Sequence, residues 1–258
     1  MNKAAFLAVP ALTLGALSMA AAPAMADQGE MWSSQATLSP LNNSGTSGGA
    51  MVDVHGNEAT VSMNVSGAAE TFMDGPFPHA QHIHSGEEAA AECPTPAADA
   101  DGDGVVNTSE GLPSYGGIVT SLTTEGDVSA DSGLAVDRFP GGGAYAYERT
   151  FELNAETSQA LKDGTAVVVV HGVDPARMPA AAAEKMSDLD PSLPAAATLP
   201  AACGVLTASQ MGAMPEGGAD TGVTQETGST AQAAVLGGGL LAAAAGGAWA
   251  LRRRFARA

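Results

Sequence analysis

The chain has 258 residues, 28 acidic against 10 basic, and a formal net charge of −18. All 28 acids but only five cations (Arg138, Arg149, Lys162, Arg177, Lys185) lie between Asp27 and Thr230, a formal −23 that argues against nucleic acid as a partner, because binding a polyanion needs clustered positive charge. Thirty-two glycines and 15 prolines belong with short strands and turns, and the length between the termini suffices for one domain with its own core.

In chain order, residues 1–26 read as a signal peptide. Lys3 precedes an apolar run from Ala4 to about Ala22, and Ala24-Met25-Ala26 is the small-x-small pattern of a cleavage site. From Gln35 to Val65, segments with Val, Thr and Met on one parity alternate with turn residues, notably His55-Gly56-Asn57. A period of two is the mark of strands with one buried face. Further strands are expected within Gly116–Gly126, Ala144–Leu153 and Thr165–Val173, and a short helix in Pro179–Leu189.

Three of the five histidines fall in His79-Ala80-Gln81-His82-Ile83-His84. On a strand, residues two apart share a face, so His82 and His84 can address one metal ion while Ile83 enters the opposite layer. His79 faces the other way on a regular strand. His171 ends the run Val167–Val170, where a buried strand would deliver a third imidazole. Three neutral imidazoles without a thiolate suit copper or zinc better than a hard cation.

Next comes Asp99-Ala100-Asp101-Gly102-Asp103-Gly104-Val105-Val106-Asn107-Thr108-Ser109-Glu110. Asp99, Asp101, Asp103, Asn107 and Glu110 occupy the oxygen-ligand positions of an EF-hand calcium loop, Gly104 its turn position, and Val105 the position that offers a backbone carbonyl. Prolines and glycines on both flanks preclude long helices, so the loop is expected to bind calcium outside a complete helix-loop-helix. Cys93 and Cys203, the only two cysteines, most simply form one disulfide in an exported chain.

Beyond Cys203 the composition is that of a flexible stalk over 211–230. Ala231–Ala250 then has one polar side chain, Gln232, and is followed by Arg252, Arg253, Arg254 and Arg257. Such a span matches about 30 Å of hydrocarbon. The expectation is a single-pass transmembrane helix at 231–250, a basic cytoplasmic tail at 251–258, and a cell-membrane location with the 27–210 domain on the extracellular side.

The His79–His84 stretch, Cys93, the strand histidine His171 and Ala202-Cys203-Gly204-Val205-Leu206 together resemble the copper/zinc superoxide dismutase family, over roughly Gln35 to Thr207. The N-terminal portion and His82-Ile83-His84-Ser85-Gly86 are also similar to the chordin-type domain. The first resemblance implies a Greek-key β-sandwich or barrel with long loops and a disulfide from Cys93 to Cys203. It also implies copper ligands at His82, His84 and His171, His79 as a hydrogen-bonding support behind them, and superoxide as substrate. The sequence departs from that family where no histidine stands between Ser85 and Val170, so the zinc subsite has no counterpart. Where the family carries its anion-guiding arginine this chain has Pro200, leaving Arg177 or Lys185 of the preceding loop as substitutes. Two functions stay open: a copper-dependent enzyme, or a non-enzymatic module of the chordin or copper-holding kind stabilised by calcium.

Overall fold

The computed structural model describes residues 30–209, all within the first of the chain's two units, Met1–Met214. Eleven strands are present: β1 (Met31–Pro40), β2 (Ser47–His55), β3 (Glu58–Ser66), β4 (Thr71–Phe72), β5 (Gly75–Pro76), β6 (Gln81–Ser85), β7 (Gly117–Ser121), β8 (Ala144–Glu152), β9 (Val167–His171), β10 (Pro200–Val205) and β11 (Thr207–Ala208). Nine form one antiparallel sheet in the order β7-β6-β9-β10-β1-β2-β3-β8, with β11 also on β1, while β4 and β5 make a separate hairpin. The ladder passes from one arm to the other where Ser39 and Pro40 of β1 meet Cys203 and Ala202 of β10. The result is an all-β half-barrel of Greek-key type, open between β7 and β8.

Strand alternation builds the core between the arms. On β3, Ala59, Val61, Met63 and Val65 point inward, meeting Val52 and Val54 of β2 and, from the other arm, Ile83, Val168, Val170 and Ala202. The β9 run is buried on both faces. Val168 and Val170 join that core, whereas Val167 and Val169 pack outward with Tyr115 and Cys203.

Among the described residues there are four α-helices: α1 (Thr108–Tyr115), α2 (Ala155–Asp163), α3 (Ala180–Ala183) and α4 (Ala195–Thr198). The short helix expected in Pro179–Leu189 is confined to the four residues of α3. No helix was expected at α2, although its boundaries are signalled: Asn154 caps the first turn through Thr157 N, and Gly164 ends it at φ +70°. α2 lies at the sheet opening, where Asn154 Nδ2 donates to Val119 O of β7 at 2.7 Å.

The expected transmembrane helix, and with it membrane anchoring, the membrane as a partner and a single-pass cell-membrane location, must be corrected. Among the described residues no helix is long and apolar enough to cross a membrane. The longest, α2, has nine residues, about 14 Å at 1.5 Å per residue, against about 30 Å of hydrocarbon. The segment 231–250 itself lies outside the described residues, as do the signal peptide at 1–26, the stalk at 211–230 and the tail at 251–258.

Candidate metal centre

Strand register brings the three histidines together. β6 pairs antiparallel with β9 so that His82 faces Val169 and His84 faces Val167, while Ile83 lies opposite Val168 in the main core. Residues opposite each other share a face, so His82 and His84 stand on the outer face with Val167 and Val169. His171, two residues past Val169, has the same parity and is held level with Ala80 by its own N–H, 2.8 Å from the Ala80 carbonyl. All three imidazoles are buried, and each offers a ligand atom within 4.8 Å of the other two.

Three backbone carbonyls decide which ring nitrogen is free. A carbonyl oxygen can only accept, so the nitrogen facing it carries the proton and the other keeps its lone pair. His82 Nε2 donates to Gly133 O at 3.0 Å, His84 Nδ1 to Gly116 O at 3.0 Å, and His171 Nδ1 to Thr198 O at 2.7 Å. His82 Nδ1, His84 Nε2 and His171 Nε2 are left buried with no partner. Backbone acceptors behind metal-binding histidines hold ring orientation and raise the basicity of the ligating nitrogen.

The local sequence explains each acceptor. Gly116 has φ +84°, and a side chain there would collide with the Ser85 carbonyl, so only glycine lets this carbonyl approach His84. Gly133 is presented by a loop tied through Asp127, whose carboxylate accepts from the Ser129 and Ser132 hydroxyls at 2.6 Å each. Thr198 O also accepts the Thr108 hydroxyl at 2.8 Å, joining the start of α1 to His171. Tyr115 packs its edge on His84 and Phe139 packs on His82, with ring centroids 4.7 and 5.5 Å apart.

Burial above all, and at His82 and His84 also the positive charge a neighbouring histidine would present, keeps the imidazoles unprotonated. His82 is held well below its ordinary value by burial, then by His171 and His84. His84 is lowered to about 3 by burial and by His171, and His171 to about 4 by burial, against opposing hydrogen bonds to backbone carbonyls. At neutral pH the centre therefore consists of three uncharged nitrogen donors. That donor set, buried and unpartnered, fits a copper-type ion.

His79 does not join it. Its Nδ1 lies 3.0 Å from His171 O and its Nε2 2.9 Å from Ala69 O, so neither nitrogen is left for a metal. The ring is stacked between Phe77 and Tyr145 and braces the end of β9 through the His171 carbonyl. Gly172, at φ +106°, makes room for it: a side chain there would meet Phe77 at 2.7 Å and His79 Nδ1 at 2.8 Å.

The acidic loop is arranged otherwise than an EF-hand suggests. Asp99, Asp101 and Asp103 bring carboxylates within 4.8 Å of one another, but the cation between them is Lys185, 2.6 Å from Asp101 and 2.7 Å from Asp103. Asn107 and Glu110 form a capping box on α1, and Glu110 also accepts from the Ala100 and Asp101 amides. The Val105 side chain is buried, and its N–H donates to Asp103. Cys93 and Cys203 are joined by a disulfide across 110 residues, with α-carbons 5.7 Å apart.

A cavity of about 690 Å³ opens over the three histidines. Neither Arg177 nor Lys185 is among its described lining residues, so neither stands in for the anion-guiding arginine. Lys185 is engaged by the acidic loop, and Arg177 reaches toward Asn43 O at 3.4 Å.

No family model matches the chain, and no curated protein is similar to it, so the chordin-type resemblance gains no support. Among solved structures it is similar to superoxide dismutase 5 of Candida albicans in its Cu(II) form, at 15% identity and a TM-score of 0.36, over 76% of this chain and 100% of that one. A mutant of the same Candida protein matches at 17% identity and a TM-score of 0.36, over 75% of this chain and 99% of that one. The likeness is distant and assigns no activity.

Proposed function

We propose that this domain is a copper-holding module, with one ion retained by His82 Nδ1, His84 Nε2 and His171 Nε2. The observation that carries this reading is the trio of buried ring nitrogens without a protein partner, each with its opposite nitrogen tied to a backbone carbonyl. Buried polar atoms normally find partners, and three orphans converging on one point mark a place for a ligand. Copper outranks zinc for a neutral nitrogen set, and when bound it would supply a one-electron redox centre.

Holding the ion is favoured over turnover of an anion because no cationic side chain helps a bound copper draw an anion in. The described residues lining the cavity include no lysine or arginine, the one charged side chain among them is Asp131, and the surrounding segment carries a formal −23. The test is metal analysis of the purified chain after copper loading and dialysis. One copper per chain is expected, with superoxide loss per copper no faster than that of copper held by an unrelated protein. No retained copper overturns the reading.

Calcium is the second ion of this proposal, supported by the convergence of Asp99, Asp101 and Asp103 and opposed by Lys185 between Asp101 and Asp103. Glu110→Gln is a poor probe, because that carboxylate caps α1 whether or not calcium binds. Lys185→Met is the informative variant: it removes the competing ammonium. Calcium at ten times its Kd should stabilise the folded state by about 1.4 kcal/mol. Melting temperatures in millimolar calcium and in chelator should differ, and differ more in Lys185→Met than in the parent. Equal values in both proteins would leave the loop as an acidic turn neutralised by lysine.

A further inference from the structure

The cavity above the histidines is larger and more apolar than a site that only holds an ion requires. Its volume, about 690 Å³, lies within the range of roughly 300 to 1,000 Å³ typical of small-molecule sites. Phe77 and Ile118 line its walls, and Leu112, Leu134, Val136 and Leu189 also contribute to its lining. Those last four are between 42% and 49% exposed, and they make up half of the eight large hydrophobic residues that the described surface exposes. Singly exposed apolar residues need no explanation. Here four from three separate segments (α1, the loop before β8, and the loop before α4) converge on one concavity that is also lined by His82, His84 and His171.

Charge narrows what fits. The only carboxylate among the described lining residues is Asp131, exposed, and there is no lysine or arginine to hold an anion. We propose that this pocket binds a neutral, largely apolar small molecule carrying one donor atom that reaches the metal end. The apolar part stands on the pocket alone. The donor part rests on the copper reading above.

The probes are imidazole, 4-phenylimidazole and azide, titrated at pH 8 into the copper-loaded full chain and followed by the visible absorption of the copper. 4-Phenylimidazole should bind at least tenfold more tightly than imidazole, because the added ring leaves water for the apolar walls, and azide no more tightly than imidazole. Val136→Asp, and separately Leu189→Gln, should reduce the preference for the phenyl compound to less than threefold at unchanged copper content. Both positions are exposed, which protects the fold. Equal affinity for imidazole and 4-phenylimidazole, a preference untouched by both variants, or azide as the tightest ligand would overturn the proposal. Calorimetry on the metal-free chain separates the two readings. If no copper is retained but 4-phenylimidazole still binds more tightly than imidazole, the metal reading fails and the pocket stands; no binding in either form sinks the pocket.

Discussion

His171→Ala removes stoichiometric copper from the domain, weakening retention by more than about 100-fold. The scale follows from outer partners of metal-binding histidines, whose loss already costs about 10- to 100-fold, whereas His171 would contribute a ligand directly. With it gone, His82 Nδ1 and His84 Nε2 remain as a pair, and two imidazoles on neighbouring strand positions hold copper no better than many surface pairs. The fold should survive, because the Thr198 carbonyl keeps its hydrogen bond from Thr108. Equilibrium dialysis against a copper-buffered solution measures the loss. His55→Gln is the control, since His55 sits exposed at the β2–β3 turn, and it should retain one copper per chain. Equal retention by His171→Ala and the parent protein would remove His171 from the ligand set.

Replacing both Cys93 and Cys203 by alanine lowers the folding free energy by about 2 to 5 kcal/mol. The bond spans 110 residues of sequence, and in the chain-entropy account closing a loop of about 100 residues restrains the unfolded state by about 4.7 kcal/mol. Native packing adds to this: Cys203 is buried on the outer face of the sheet with Val167, Val169 and Tyr115, and Cys93 packs against that group. With a urea dependence of about 2 kcal/mol per molar, the denaturation midpoint should fall by roughly 1 to 2.5 M. A midpoint identical to that of the oxidised parent would mean that the bond contributes nothing to stability.

The strands were legible, though not their closure into a half-barrel rather than a sandwich or full barrel, because strand alternation is a local property. Val61, Met63 and Val65 stand on one parity of β3 whatever the rest of the chain does, and the same period places Ile83 in the core and His82 and His84 on the other face. α2 was equally local and was missed, although Asn154 and Gly164 bracket it, because its nine residues carry a weak apolar stripe beside strong strand signals.

What local pattern could not supply is anything that depends on where distant segments meet. Whether His171 reaches His82 is settled by the register of β9 on β6. Which nitrogen each ring leaves free is settled by the carbonyls of Gly133, Gly116 and Thr198, which lie 51, 32 and 27 residues from the histidines they hold. The acidic loop matches a calcium pattern within twelve residues, yet Lys185, 84 residues from Asp101, supplies the positive charge there. The apolar rim of the cavity is assembled from three separated segments, none of which stands out alone. Period and parity follow from backbone geometry that each residue carries with it, while register, hydrogen-bond partners and charge neutralisation arise only when the folded chain brings those residues into contact.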